Sequence, residues 1–287
     1  MDIKINDMAL DISLENENTL GDVLAGLEQW LSNSGHRISE LKIDGQAVTS
    51  SMLEEAFKKD VKTIKSIDIY TNVIAELSAA SLLNLIEDIK EFEALSFEDK
   101  SKYCEKWQET ATAQFIFAEL PDLYAFCRNV FSNGDVTPQT LLSITEEIQR
   151  EVNDPKTELV NLEPILNEIC IRLTDLPLDI QTGKDARAAQ TIQLFSAVTE
   201  KIFRIIKQLN TQGYLSPDIP QTDNKSLTEL MSYFSNILKE LLEAYEKNDS
   251  VLVGDLTEYE ASPKIKELYK AILENVNTKE KAEKEEK

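Results

Sequence analysis

The chain has 287 residues, 42% hydrophobic and 29% charged, and its 30 lysines and arginines against 52 aspartates and glutamates leave a formal net charge of −22. That length and apolar content support one or two domains with a real core, whereas the charge argues against nucleic acid and anionic membrane surfaces as partners. Only 8 glycines and 8 prolines are present, too few for an architecture of long irregular loops, so helices are favoured.

Cys104, Cys127 and Cys170 are odd in number, widely spaced and free of any Cys-x-x-Cys. They are expected as small core residues in a reducing cytoplasm. The opening MDIKINDMAL lacks a basic segment followed by an apolar one, so no signal peptide is expected. No apolar run approaches the roughly 18 residues a membrane span requires, so no membrane insertion is expected.

In chain order, Ile3 and Ile5, then Leu10, Ile12 and Leu14, alternate with polar residues, the half-buried strand pattern, and Asn6-Asp7 between them suits a hairpin turn. Thr19 with Asp22 forms a capping-box pattern ahead of Leu20, Val23, Leu24, Leu27 and Leu31, which step by three and four as a helix requires, and Gly35 suits the helix end. Ile38, Leu41 and Ile43 predict a third strand closing at Asp44-Gly45. A short amphipathic piece, SSMLEEAFKK, leads to a last strand around Ile67 and Ile69. The order strand, strand, helix, strand, short helix, strand resembles the β-grasp, or ubiquitin-like, fold over about a quarter of the chain. Modifiers and sulfur carriers of that fold end in a free Gly-Gly. Here the last strand runs on into NVIAELSAASLLNLIEDIK, so the resemblance implies a docking module and not a covalent modifier.

Lys58, Lys59, Lys62 and Lys65 are the densest basic cluster, read either as a solvated helix end and strand start or as a site for an acidic partner or for an acidic helix of the same chain. His36 is the sole histidine, which leaves no Ser-His-Asp triad and no histidine-rich metal site.

From Val73 onward the apolar period is 3.6. Ile74 to Ile89 mark one helix. Ser96 with Asp99 caps the next, expected to carry Trp107, Phe115 and Phe117 and to break or kink at Pro121. Thr137-Pro138 and Asp154-Pro155 each place a cap before a proline at the first helical position. Pro164 implies that the helix in LVNLEPILNEICIRL starts near Leu162 or bends there. Residues 211–224 read as a loop, LTELMSYFSNILKELLEAYE and ASPKIKELYKAILENV as the last helices, and 277–287 as a charged tail without structure.

Gly183-Lys184 is the one pair with the look of a phosphate loop. The position five before Gly183 is Leu178, and Asp185 stands where a magnesium-binding hydroxyl belongs, so the Walker pattern fails twice. The pair is read as opening the apolar helix DARAAQTIQLFSAVTEKIFRIIKQL, whose Lys201, Arg204 and Lys207 are expected to face acidic neighbours. Gln181, Lys184 and Arg187 at its mouth are a candidate docking point. Asp255, Glu258 and Glu260 form either a polar network or a solvated turn; no calcium loop or other catalytic motif accompanies them.

The expected fold class is α+β: a β-grasp-like docking domain at 1–72, an irregular, mostly α helical bundle at 73–276, and the tail at 277–287. The expected role is a cytoplasmic protein–protein interaction module, that is an adaptor, scaffold or chaperone-like binder, using no cofactor, metal or catalytic residue. The candidate partner-binding residues are Lys58, Lys59, Lys62, Lys65, Gln181, Lys184 and Arg187. The alternative is an enzyme or small-ligand binder built on buried carboxylates of the bundle. The stretches QTGKD and DLTEYE…P resemble uncharacterised helical proteins of flagellated bacteria, a resemblance that implies a link to bacterial motility and assigns no residue roles.

Overall fold

The structure, a computed structural model, describes residues 2–10, 17–49, 52–215 and 227–285. It is α+β, as expected: a five-stranded mixed sheet, then a chain of helices. Strands β1 (Asp2–Ile5) and β2 (Met8–Leu10) form a hairpin, with Asn6 and Asp7 both at positive φ (48° and 65°). Two such residues are what a type I′ turn demands. The same chemistry recurs at Asp44 (50°) and Gly45 (79°) between β3 (His36–Ile43) and β4 (Gln46–Ala47). Strand β5 (Ser66–Val73) lies in the middle, parallel to β1 and antiparallel to β3, giving the order β2-β1-β5-β3-β4. Of the second expected strand, Ile12 and Leu14 lie outside the described residues.

Helix α1 (Leu20–Asn33) starts at the capping box read from sequence: the Thr19 hydroxyl accepts from the Asp22 N–H, and the Asp22 carboxylate accepts from the Thr19 N–H at 2.9 Å. Its Leu20, Val23, Leu24, Leu27 and Leu31 share a core with Ile3, Leu41, Ile43, Ile67 and Ile69 of the sheet. Short α2 (Leu53–Phe57) and a 3-10 turn at Val61–Thr63 add Ala56 and Val61 to that core.

Helix α3 (Ile74–Ala94) follows β5 without a loop. The helix expected beyond Ser96, with its break or kink at Pro121, is three helices. Helix α4 (Phe97–Gln108) stops at a turn where Thr110 donates to the Trp107 carbonyl (2.7 Å) and accepts from the Ala113 N–H (3.1 Å), which starts α5 (Ala111–Glu119). Of the break or kink expected at Pro121 the structure has the break: α5 ends at Glu119 and Pro121 opens α6 (Pro121–Phe131), where its missing N–H is without consequence. Rings of Phe92, Tyr103 and Trp107 pack edge to face with Phe131 among these helices, and Phe92 lies tilted against Tyr103. Helix α7 (Pro138–Asn153) comes next. The chain divides into two compact units, Met1–Gln149 and Arg150–Lys287, so the division falls within α7. Residues 1–72, expected as a domain of their own, share the first unit with α3 to α6; Arg37 of β3 reaches Glu119 of α5 at 2.6 Å.

In the second unit, α8 (Pro155–Gln181) and α9 (Asp185–Thr211) form a long hairpin. Helix α8 does not start near Leu162. Asp154 caps it through the Thr157 N–H (3.1 Å), and it runs on through Pro164 and Pro177. Pro164 leaves the Val160 carbonyl without its helical donor, and both residues sit on the solvent side, where that group can be hydrated. Helices α10 (Leu227–Glu246), α11 (Ser250–Asp255) and α12 (Ser262–Glu285) complete the unit, with a π-helical turn at Leu256–Ala261 joining the last two. The charged segment at 277–287 is not unstructured: it belongs to α12 as far as Glu285, a run of strong helix formers. Its Lys279 is anchored on the carbonyls of Gly213 and Leu215.

Candidate functional site

Gly183-Lys184 closes one helix as well as opening the next. Gly183, at φ 70°, donates to the Ile180 carbonyl (3.1 Å), and the Lys184 N–H donates to that of Asp179 (2.8 Å). This is the Schellman pattern at the end of α8. Lys184 is then the N-terminal flank of α9 and caps it with no side-chain bond. The Gly183 and Lys184 N–H groups, which a phosphate loop would turn on its ligand, are therefore engaged on carbonyls of α8.

The same turn buries an acid that sequence reasoning passed over. The Asp179 side chain is 2% exposed, and its oxygens face Lys184 Nζ at 3.4 Å and Arg187 Nε at 3.0 Å. The Arg187 contact lies off the line of a hydrogen bond, so Asp179 Oδ2 has an ion pair and no hydrogen-bond donor among the described residues. Arg187 also bonds Asp175 at 2.9 Å, and Gln181 reaches the Ser250 hydroxyl at 3.2 Å. All three residues of the candidate docking point thus make internal contacts, while Lys184 and Arg187 remain half exposed.

At the opposite end of the hairpin Glu151, 1% exposed, holds Arg204 through two bonds (2.8 and 2.9 Å) and Lys201 at 3.7 Å; Lys201 also meets Glu158 at 3.1 Å. The expected acidic neighbours of Lys201 and Arg204 are therefore present, and they are residues of α7 and α8. Both buried acids are matched by cations of the same unit, and a buried carboxylate so paired is a structural element before it is a reagent.

Lys58, Lys59, Lys62 and Lys65 are all exposed and lie close together along α2, the 3-10 turn and the start of β5. Acids share the corner: Glu54 meets Lys58 at 3.7 Å, Asp60 accepts from the Lys62 N–H (2.9 Å), and Asp44 accepts from the N–H groups of Lys65 and Ser66 (2.8 and 2.9 Å). These bonds hold the Asp44 carboxyl below the ordinary range. His36 bonds the Ser34 carbonyl at the end of α1.

Asp255, Glu258 and Glu260 do not converge. Asp255 and Glu258 are exposed, and Glu258 pushes the phenol of the adjacent exposed Tyr259 up, away from ionisation, by its charge and by accepting its hydrogen bond. Glu260 points the other way and accepts from Tyr233 of α10. The π turn splits the trio: its extra residue rotates the side chains beyond it, and no sequence signal marks it. Among the described residues no group of three or more His, Cys, Asp or Glu could hold a metal ion, and no helix is long and apolar enough to cross a membrane. Cys104, Cys127 and Cys170 are free and buried, and burial pushes the Cys127 and Cys170 thiols up, away from the reactive thiolate.

Fold and surface together define an α+β chain in which a small mixed sheet precedes helices whose buried charges are internally matched. Two family models match parts of it: residues 1–72 match the TP0873 N-terminal domain, and residues 157–271 match a domain of unknown function, DUF8042. The second match begins in the first turn of α8 and ends within α12. An uncharacterized protein of Treponema pallidum (strain Nichols) is 22% identical over 279 residues, covering 95% of this chain and 96% of that protein. No solved structure matches the chain.

Proposed function

We propose that this chain is a cytoplasmic adaptor that acts by protein–protein contact, with a β-grasp docking module at its N-terminus. The strand order, the parallel β1/β5 pair at the centre and the single long helix packed on one face support the β-grasp reading. The carrying observation for the function is a contrast within the second unit. Its buried acids, Asp179 and Glu151, are already matched by Lys184, Arg187, Lys201 and Arg204. Large apolar side chains, among them Ile171 and Val251, stand instead in solvent. A chain using buried carboxylates on a ligand would keep them free of internal cations, whereas an interaction surface keeps apolar side chains outside.

The test is cross-linking of the intact chain in its native host, followed by purification and a parallel thermal-shift screen against metabolites and nucleotides. A stoichiometric protein partner with no small-molecule shift is the expected result. A ligand shift abolished by Asp179→Asn or Glu151→Gln, with no protein partner, would replace this reading with the small-ligand one.

A further inference from the structure

Helix α8 is apolar on two faces. Leu162, Leu166, Leu173, Leu176 and Ile180 face the core. On the other side Val160, Pro164, Asn167, Ile171, Thr174 and Leu178 are all exposed, with Val160, Ile171 and Leu178 at 55, 66 and 57%. Their steps are four, three, four, three and four, the spacing of a seam that meets another helix. The seam covers about 27 Å at about 1.5 Å per residue. A helix at a protein surface needs one apolar stripe, and the second is without a partner among the described residues.

The neighbouring elements give the seam its charge. Pro177 packs against Gly254, whose position leaves room for a Cβ only 3.4 Å from the proline ring, and Gln181 bonds Ser250, so α11 and the π turn run antiparallel beside α8. Ser262 continues that contact at Cys170. Arg172 is spent on Glu168 and Arg187 on Asp175 and Asp179, whereas Glu163, Asp255 and Glu258 have no ion pair with any described residue; Lys266, near Cys170, offsets one of them. The seam is thus a neutral stripe with an acidic border.

Resting on the adaptor reading above, we propose that the outer face of α8, bordered by the π turn, is the docking site for an amphipathic helix of a partner protein, one with a seam of aliphatic residues and lysine or arginine on its flanks. A second copy of this chain fits less well. The steps are symmetric about residue 169, so an antiparallel copy would set Val160 on Leu178, but the same register sets Glu163 of each copy against Asp175 of the other, two like-charge pairs.

The experiment uses the full chain and three synthetic helical peptides of eighteen residues read by fluorescence anisotropy. One has leucines stepping four and three with lysine flanks, the second has glutamate flanks, and the third has the first peptide's composition in scrambled order. The lysine-flanked peptide should bind, the glutamate-flanked one at least tenfold more weakly, and the scrambled one not measurably. Ile171→Glu with Leu178→Glu, both at exposed positions, should weaken binding at least tenfold with an unchanged urea midpoint, while Phe97→Glu in the first unit should change nothing. Equal binding of the scrambled peptide, indifference to the double substitution, or a sedimenting dimer that the double substitution dissociates would each overturn the proposal. If the chain has a native partner that the double variant still binds, the adaptor reading stands and the site is elsewhere; if the unaltered chain has no partner, the adaptor reading falls first.

Discussion

At the scale of single residues, the Asp179 turn carries the most consequence. A carboxylate 2% exposed depends on its cations, and two of them share it. Removing Lys184 alone leaves Arg187 in place and should cost under about 1 kcal/mol, as half-exposed ion pairs do. Removing both, Lys184→Ala with Arg187→Ala, strands a buried charge and should cost about 3–5 kcal/mol in urea unfolding. Additive small effects would show that water already reaches Asp179. Neither variant should alter nucleotide binding, which calorimetry should find absent in all forms. Gly183→Ala isolates the backbone: nothing lies within 4 Å of the added Cβ, so the expected loss of about 1–2 kcal/mol comes from the φ of 70° alone. That Gly183-Lys184 opens a helix was legible in the sequence, because the rest of a phosphate loop is missing; that Gly183 also closes α8 in the left-handed conformation was not. Asp179 was not, because an acid in the last turn of an amphipathic helix reads as solvated until the packing turns it inward.

At the scale of elements, local chemistry carried over well where a cap or a turn residue announces itself. Thr19, Ser96 and Asp154 start helices by the bonds their side chains suggest, and Asn6-Asp7 and Asp44-Gly45 make the turns their conformations allow. The break at Thr110 was hidden because the apolar pattern continues across it, and the reach of α8 was hidden because Pro164 reads as a helix start or a bend. The acid caps yield a pH prediction. Backbone N–H bonds hold the Asp22 and Asp44 carboxyls below their ordinary range. Their folded values lie under the unfolded value of about 3.9, so their stabilisation is complete above that pH and is lost as pH falls through the lower folded values. Asp44→Asn should therefore flatten part of the acid limb of the stability curve, measured by circular dichroism between neutral and strongly acidic pH; an unchanged limb would show that the bonds to Lys65 and Ser66 do not persist in solution. Gly254, helical and against Pro177, has room for one methyl group. Gly254→Ala should gain about 0.5–1 kcal/mol from helix propensity, whereas Gly254→Leu should destabilise by displacing Pro177.

At the scale of the whole molecule, the core of the sheet is built, among the described residues, from residues between Ile3 and Ile69, and the stretch 1–72 matches a family model by itself. A fragment ending just after β5 should fold into a mixed α/β unit of marginal stability; a random-coil spectrum would show that α3 to α6 supply part of its core. Hidden from the sequence at this scale is the outer stripe of α8. Its residues step correctly, but an inner stripe of leucines on the same helix absorbs the periodicity, and only the fold tells which of the two is left outside. The adaptor reading therefore turns on whether that face meets a partner. A photo-cross-linking amino acid placed at Ile171, with a second chain carrying it at exposed Glu240 as control, addresses this in the native host. The expected result is an adduct from position 171, absent from position 240, that maps to a lysine- or arginine-flanked amphipathic helix of another protein. Adducts only to this chain itself, or equal adducts from both positions, would contradict it.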